Sequence, residues 1–118
     1  MRRVRVWNRS RKVGLGARVA VAEWFWPRLR GLLGRSGLAE GEGLLIVPSR
    51  GVHMFGMRFP LDVLLLDGQR RVQASYTDLA PGKTTGMHRG VRYALELPVG
   101  TIEATDTRVG DDLEWEEA

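Results

Sequence analysis

The sequence has no cysteine. Disulfides, thiolate metal sites and cysteine nucleophiles are therefore excluded, and a reducing, cytoplasmic setting is the expectation. Histidine is scarce as well: His53 and His88 are the only two. No apolar run approaches the roughly 18–20 residues that a membrane-spanning helix needs. The opening Met1-Arg2-Arg3-Val4-Arg5-Val6-Trp7 has the charge of a signal peptide but no apolar segment behind it, so neither export nor a membrane partner is expected. Lysine occurs twice among the eighteen basic residues, the rest being arginine. No serine sits in a Gly-x-Ser-x-Gly elbow, since Ser36 and Ser49 both lack the frame, and a serine hydrolase has no support. Pro81-Gly82-Lys83-Thr84-Thr85 looks like the end of a phosphate-binding loop. Thr77 stands where that loop needs its first glycine, and no helix pattern follows, so it reads as a surface loop.

What remains is an ordinary globular composition, 43% hydrophobic and 27% charged over 118 residues, the size of one domain covering 1–118. The net charge of +4 is unevenly spread. Residues 1–35 hold ten basic side chains against Glu23 alone, and residues 103–118 hold seven acids against Arg108. A basic arm of this kind is one route to nucleic-acid binding. The competing reading is that the first and last strands are neighbours whose charges pair across a sheet. The arm lacks the interleaved aromatics of a single-strand binder, so nucleic acid is not the expected partner.

Period-two alternation over residues 2–7 predicts a strand, and Ala17–Val21 predicts a second. Ala22, Phe25, Trp26, Leu29, Leu32 and Leu33 then fall on one stripe of a helix ended near Gly34. Leu44–Val47 and Asp62–Leu66 read as buried strands, and His53–Phe55 as a shorter one. Asp67-Gly68 followed by alternating Val72, Ala74 and Tyr76 predicts a β-hairpin. Residues 79–90 read as a loop, Val91–Leu97 as a strand, Thr101–Thr105 as a helical turn and Asp112–Glu116 as a last strand. Many short strands and one helix predict a mainly β fold, a compact barrel or jelly-roll-like sandwich with one short amphipathic helix.

The densest group of reactive residues is Val52-His53-Met54-Phe55-Gly56-Met57-Arg58-Phe59-Pro60-Leu61-Asp62. A soft copper site from His53, Met54, Met57, Met87 and His88 is one reading, but methionine more often fills gaps in cores, and neither a metal nor a cofactor is expected. His53 with Asp62, Asp78 or Glu96 would make an acid/base pair; the alternative is a structural histidine in a tight connection. Asp62, just after Pro60-Leu61, is suited to accept backbone N–H groups of the turn before it. Arg58 and Arg30 are candidate anion ligands or ion-pair partners for Asp62 and Glu96. Trp24, off the helix stripe, is a candidate surface aromatic.

Five blocks in order carry a resemblance: Arg30-Gly31-Leu32-Leu33-Gly34-Arg35, Gly41-Glu42-Gly43-Leu44-Leu45, His53-x-Phe55-Gly56-Met57-Arg58-Phe59-Pro60-Leu61-Asp62-Val63 through Asp67, Leu95-Glu96-Leu97-Pro98-x-Gly100 and Val109-Gly110-Asp111. Over about residues 17–115 the chain resembles the domain-of-unknown-function 192 family of small bacterial and archaeal proteins. The resemblance implies one β-rich domain with a short helix and no assigned activity. Some similar proteins carry an export signal or anchor before the domain, and Met54 stands where they commonly have a small hydroxyl residue. The recurring polar positions are Arg30, His53, Asp62, Asp67, Glu96 and Asp111, of which Asp67 and Asp111 fall in turns. The resulting candidate site is Arg30, His53, Met57, Asp62 and Glu96, with Phe55, Phe59 and Trp26 as aromatic walls. The leading expectation is a binding or accessory module that takes a small polar ligand or a peptide. The alternatives are an enzyme using His53 and a carboxylate, and a nucleic-acid binder using the N-terminal arginines.

Overall fold

A computed structural model describes residues 2–23 and 35–118. In chain order the strands are β1 (Arg3–Asn8), β2 (Val13–Ala22), β3 (Glu42–Ile46), β4 (Leu61–Asp67), β5 (Val72–Leu79), β6 (Val91–Leu97) and β7 (Leu113–Glu117). Helix α1 (Thr101–Thr105) lies between β6 and β7. All seven strands belong to one sheet in the spatial order β5-β4-β6-β3-β2-β1-β7. The β2–β3 pair is parallel and the others antiparallel.

The sheet curls until its two edge strands touch at one end. There Val72 N donates to the Asp111 carbonyl at 2.9 Å, Gly110 N to that of Val72 at 2.8 Å and Leu113 N to that of Arg70 at 2.9 Å. Arg70 also lays its guanidinium 3.8 Å from the centre of the Trp115 ring, which Tyr93 meets edge-on at 4.9 Å. The outcome is a half-barrel made of a single curled sheet, the barrel form of the expected β fold.

Both faces of the middle of the sheet are covered. Leu64 and Leu66 of β4, Leu95 and Leu97 of β6, Val19 and Val21 of β2 and Ile102 of α1 fill the inside. Leu61, Val63 and Leu65 of β4 pack outward with Met54, Phe59 and Ala94. This is why β4 reads as an unbroken apolar run: alternate side chains go to opposite faces, and both faces are dry. Each fully buried leucine contributes about 2 kcal/mol of apolar transfer free energy.

The first and last strands pair as expected. Arg5 lies opposite Glu116 and bonds it, Arg2 reaches Glu117 at 3.0 Å, and Arg9 approaches Asp112 at 3.6 Å. These groups are largely exposed, so each pair is worth about 0–1 kcal/mol. Their main effect is to give the two strands complementary charge.

Several boundaries differ from expectation. Strand β2 begins at Val13, not Ala17, because Gly14 and Gly16 sit opposite Trp7 and Val6 in a stretch of β1 with two register irregularities, where missing side chains are tolerated. Ala22, counted on the helix stripe, closes β2, and its carbonyl accepts from Val47 N at 3.0 Å. The rest of the expected helix, with Arg30, Trp24 and Trp26, falls in residues 24–34, outside the described residues. The hairpin after β4 turns at Arg70, which has φ 67, and not at Gly68. The Asp67 carboxylate accepts from Gln69 N and Arg71 N at 2.9 and 3.0 Å, so a three-residue loop wins over a two-residue one. No helix among the described residues is long and apolar enough to cross a membrane.

Candidate functional site

The segments before and after the β4–β5 hairpin, residues 50–54 and 82–88, are joined into a short ribbon over the outer apolar face. Thr85 N donates to the Val52 carbonyl at 3.0 Å, Met54 N to that of Lys83 at 2.7 Å, Gly82 N to that of Met54 at 2.9 Å and His88 N to that of Arg50 at 2.9 Å. The Thr85 hydroxyl accepts from Val52 N at 3.0 Å. Only His53 of the expected strand 53–55 makes a ladder contact, with Thr84, because Gly56 turns the chain back at φ 80 and Met57 N closes that turn on the Met54 carbonyl. At Gly51 the two segments approach so closely that a Cβ would lie 2.0 Å from the Gly86 carbonyl oxygen.

Alternation along the ribbon sorts its side chains. Met54 is wholly buried and Val52 packs against the outer core, whereas His53 is exposed. His53 lies against Phe55, ring centres 5.0 Å apart and planes at 30°. With Ser49, Arg50, Gly51, Thr84 and Met87 it lines an open groove of about 400 Å³, within the range of small-ligand sites. Phe55 and Met87 are 62% and 74% exposed, unusual for such side chains. A larger cleft of about 600 Å³ runs beside Trp7, Gly14 and Gly16. It holds none of the candidate residues, and Arg5 and Glu116 on its rim are bonded to each other.

The other candidates are distributed as follows. Met57 is half-buried against the outer core. Glu96, on β6, is paired with Val63 and so faces the outer side, nearly buried. Asp62 is paired with Leu97 and faces the interior, so Asp62 and Glu96 lie on opposite faces of the sheet. Asp62 is fully buried, with Oδ1 accepting from Asp78 N at 2.9 Å and Oδ2 from Gly100 N at 3.1 Å and Ile102 N at 2.9 Å. One carboxylate thus ties the start of β4 to the end of β5 and the start of α1. Its interior position sets it on the opposite side of the sheet from the outer ribbon that carries His53. Arg30 lies outside the described residues.

Asp111, which the sequence places in a turn, is a second buried anchor. Its Oδ2 accepts from Asn8 Nδ2 at 3.0 Å, Arg11 Nε at 2.8 Å and Arg108 N at 2.9 Å. Burial acts to raise its pKa, but the hydrogen bonds from Asn8, the Arg108 amide and Arg11, with the Arg11 charge, outweigh it and hold the carboxyl below its ordinary value.

Sequence reasoning passed over one polar cluster. The Tyr76 hydroxyl lies 2.8 Å from His88 Nε2 and 3.2 Å from the Thr85 carbonyl, and His88 Nε2 is 3.1 Å from the same carbonyl. A carbonyl only accepts, so in a consistent arrangement an Nε2–H donates to the Tyr76 oxygen and the Tyr76 hydroxyl donates to the Thr85 carbonyl, the two hydrogens serving two of the three contacts. The available signal was Tyr76 itself, on the apolar face of an alternating strand, where a half-buried tyrosine hydroxyl needs a partner. Arg50 was also missed, since nothing in the local pattern marks it as part of a groove.

A curled β half-barrel with a loop ribbon over one face is the class that these features define. Two solved structures share the fold. One is a protein of unknown function from Novosphingobium aromaticivorans, with a TM-score of 0.78 at 22% identity, covering 96% of this chain and 84% of that one. The other is described as a putative transcription regulator from Sinorhizobium meliloti, with a TM-score of 0.74 at 26% identity, covering 97% and 92%. The family model of DUF192, described as an uncharacterized ACR, matches residues 6–115, and the chain belongs to that family. A UPF0127 protein of Pyrococcus abyssi is 30% identical over 114 residues, 92% of this chain and 94% of that protein. A UPF0127 protein of Thermococcus sibiricus is 32% identical over 104 residues, 84% of this chain, which spans 66% of that relative's length.

Proposed function

We propose that this domain is a binding or accessory module, and that its recognition surface is the groove between Ser49–His53 and Thr84–Met87. The observation behind this reading is the make-up of that groove: an exposed imidazole, an arginine, hydroxyls and a methionine wall, with no carboxylate among the lining residues. Convergent polar groups beside apolar walls favour capture of a small polar ligand or a peptide. An acid/base role for His53 with Asp62 is disfavoured, because Asp62 faces the interior and is occupied by three amides.

The test is a thermal-shift screen of the whole chain against phosphates, nucleotides, sugars, metals and short peptides. A ligand that binds only the folded state raises the melting temperature. His53→Ala should keep the unliganded melting temperature and shrink the shift. A screen without any hit, or a His53→Ala variant that unfolds, overturns the reading. The Sinorhizobium description favours a second reading, nucleic-acid binding. It predicts an affinity for mixed-sequence DNA or RNA that is strong near 50 mM salt and falls steeply above it, about 10³-fold or more by 200 mM for six phosphate contacts. The engagement of Arg2, Arg5 and Arg9 by acids weakens the N-terminal route to it.

A further inference from the structure

Most arginines of the barrel wall are held by acids: Arg2, Arg5, Arg9, Arg11, Arg35, Arg71 and Arg108 all form ion pairs. The loops over the outer face are different. Residues 47–60 and 80–90 contain no Asp or Glu, yet they carry Arg50, Arg58, Lys83 and Arg89. All four are exposed, and none is in an ion pair among the described residues.

Their placement follows the ribbon. The bond from His88 N to the Arg50 carbonyl puts Arg50 and Arg89 at one end. The bond from Met54 N to the Lys83 carbonyl puts Lys83 at the other, with Arg58 beyond the next turn. Four residues of extended chain separate the ends, about 13 Å at 3.3 Å per residue. Between them lie His53, the Phe55 ring stacked on it, and exposed Met87.

We infer that this groove binds an extended acidic peptide segment carrying an apolar side chain. The inference rests on the binding-module reading and names its ligand class. A small anion reaches one end of the ribbon only, whereas an extended segment of four or five residues puts carboxylates at both ends. Met87 supplies the unbranched, adaptable contact that suits an apolar peptide side chain. A nucleic-acid strand would need a series of free ring faces, and the one exposed phenyl ring among the described residues is already paired with His53.

The experiment is fluorescence anisotropy of the full chain with a labelled peptide of alternating Glu and Leu. The same peptide with Gln for Glu and one with Lys for Glu are the controls. Wild type should bind the Glu peptide about tenfold tighter than the Gln peptide, with the difference fading as salt rises. The Arg50→Glu/Arg89→Glu variant should lose the Glu peptide and gain the Lys peptide, a reversal that damaged folding cannot produce. Met87→Ser should weaken binding without lowering the melting temperature. Equal binding of the Glu and Gln peptides, an unaffected charge-reversed variant, or tighter binding to phosphatidylserine vesicles or a thymidine oligonucleotide would each overturn the inference. If the peptide fails while a compound in the thermal-shift screen binds, the inference falls and the module reading stands; if both fail, both fall.

Discussion

Removing the Asp62 carboxylate should cost the domain a large part of its stability. Asp62→Ala strips the acceptor from three amides at once, those of Asp78, Gly100 and Ile102. Gly100 and Asp78 are exposed residues whose N–H groups can turn in part to water, while Ile102 is buried. The Ile102 donor therefore bears the largest share, about 1–3 kcal/mol, and the two part-buried bonds add about 0.5–1.5 kcal/mol each, which gives about 2–6 kcal/mol in all. For a chain of this size every kilocalorie shifts the melting temperature by about 4 °C, so a drop on the order of 10–20 °C is expected. Asp62→Asn keeps one acceptor oxygen but turns an NH₂ toward the other donors, and should fall between the wild type and the alanine variant. Urea unfolding followed by far-ultraviolet circular dichroism gives the free energies. Amide exchange at Ile102 should accelerate before that of the β4 core amides, because α1 loses its anchor first. A loss under about 1 kcal/mol for Asp62→Ala would refute the reasoning, because it is smaller than the cost of a single orphaned buried donor. Asp62 would then have to be reconsidered as a residue kept for chemistry.

Gly51→Ala should part the ribbon, since its Cβ would meet the Gly86 carbonyl oxygen at 2.0 Å and Thr85 Oγ1 at 2.8 Å; a loss of about 1–3 kcal/mol and faster exchange of the Met54, Thr85 and His88 amides are expected. Gly14→Ala, whose Cβ meets nothing within 4 Å, is the matched control and should be neutral. The lowered pKa of Asp111 makes stability fall in acid: its contribution is complete above the ordinary value of 3.8 and is lost as pH drops through the depressed folded value. Asp111→Asn should therefore flatten the acid limb of a stability-against-pH curve, and an unchanged limb would show that the carboxylate is not a titrating anchor. Tyr76→Phe removes a hydroxyl shared by His88 and Thr85 and should cost about 0.5–1.5 kcal/mol, with the change in His88 ring nitrogen shifts as the direct readout.

The hairpin of β4 and β5 was legible because local rules suffice there. Asp67 caps its own turn, and the alternation of Val72, Ala74 and Tyr76 needs no distant partner to be read. The first strand was legible for the same reason, and the pairing of Arg5 with Glu116 followed from complementary charge at the two ends of the chain. What the sequence could not supply was closure. The parallel β2–β3 pair and the meeting of Arg70–Val72 with Gly110–Leu113 depend on long-range geometry that leaves no periodic trace. The ribbon was hidden for a related reason. It has one ladder pair, and the rest of its bonds run between residues whose local composition says only that they form loops.

The segment from His53 to Asp62 shows most clearly how the sheet redistributes a sequence motif. In the chain these residues look like a single polar cluster. In the fold, Gly56 turns the backbone at φ 80 before β4 begins, and the cluster divides. His53 stays on the outer ribbon in an open groove, and Met57 packs against the outer core. Asp62 passes to the interior, where it accepts from three amides. Chemistry that needs a histidine and a carboxylate together cannot be assembled from His53 and Asp62, because the β4 backbone and its apolar outer face stand between them. Recognition does not need them together, and the loops on the His53 side carry Arg50, Arg58, Lys83 and Arg89 and no carboxylate, which is why the partner proposed for that face is an anionic one.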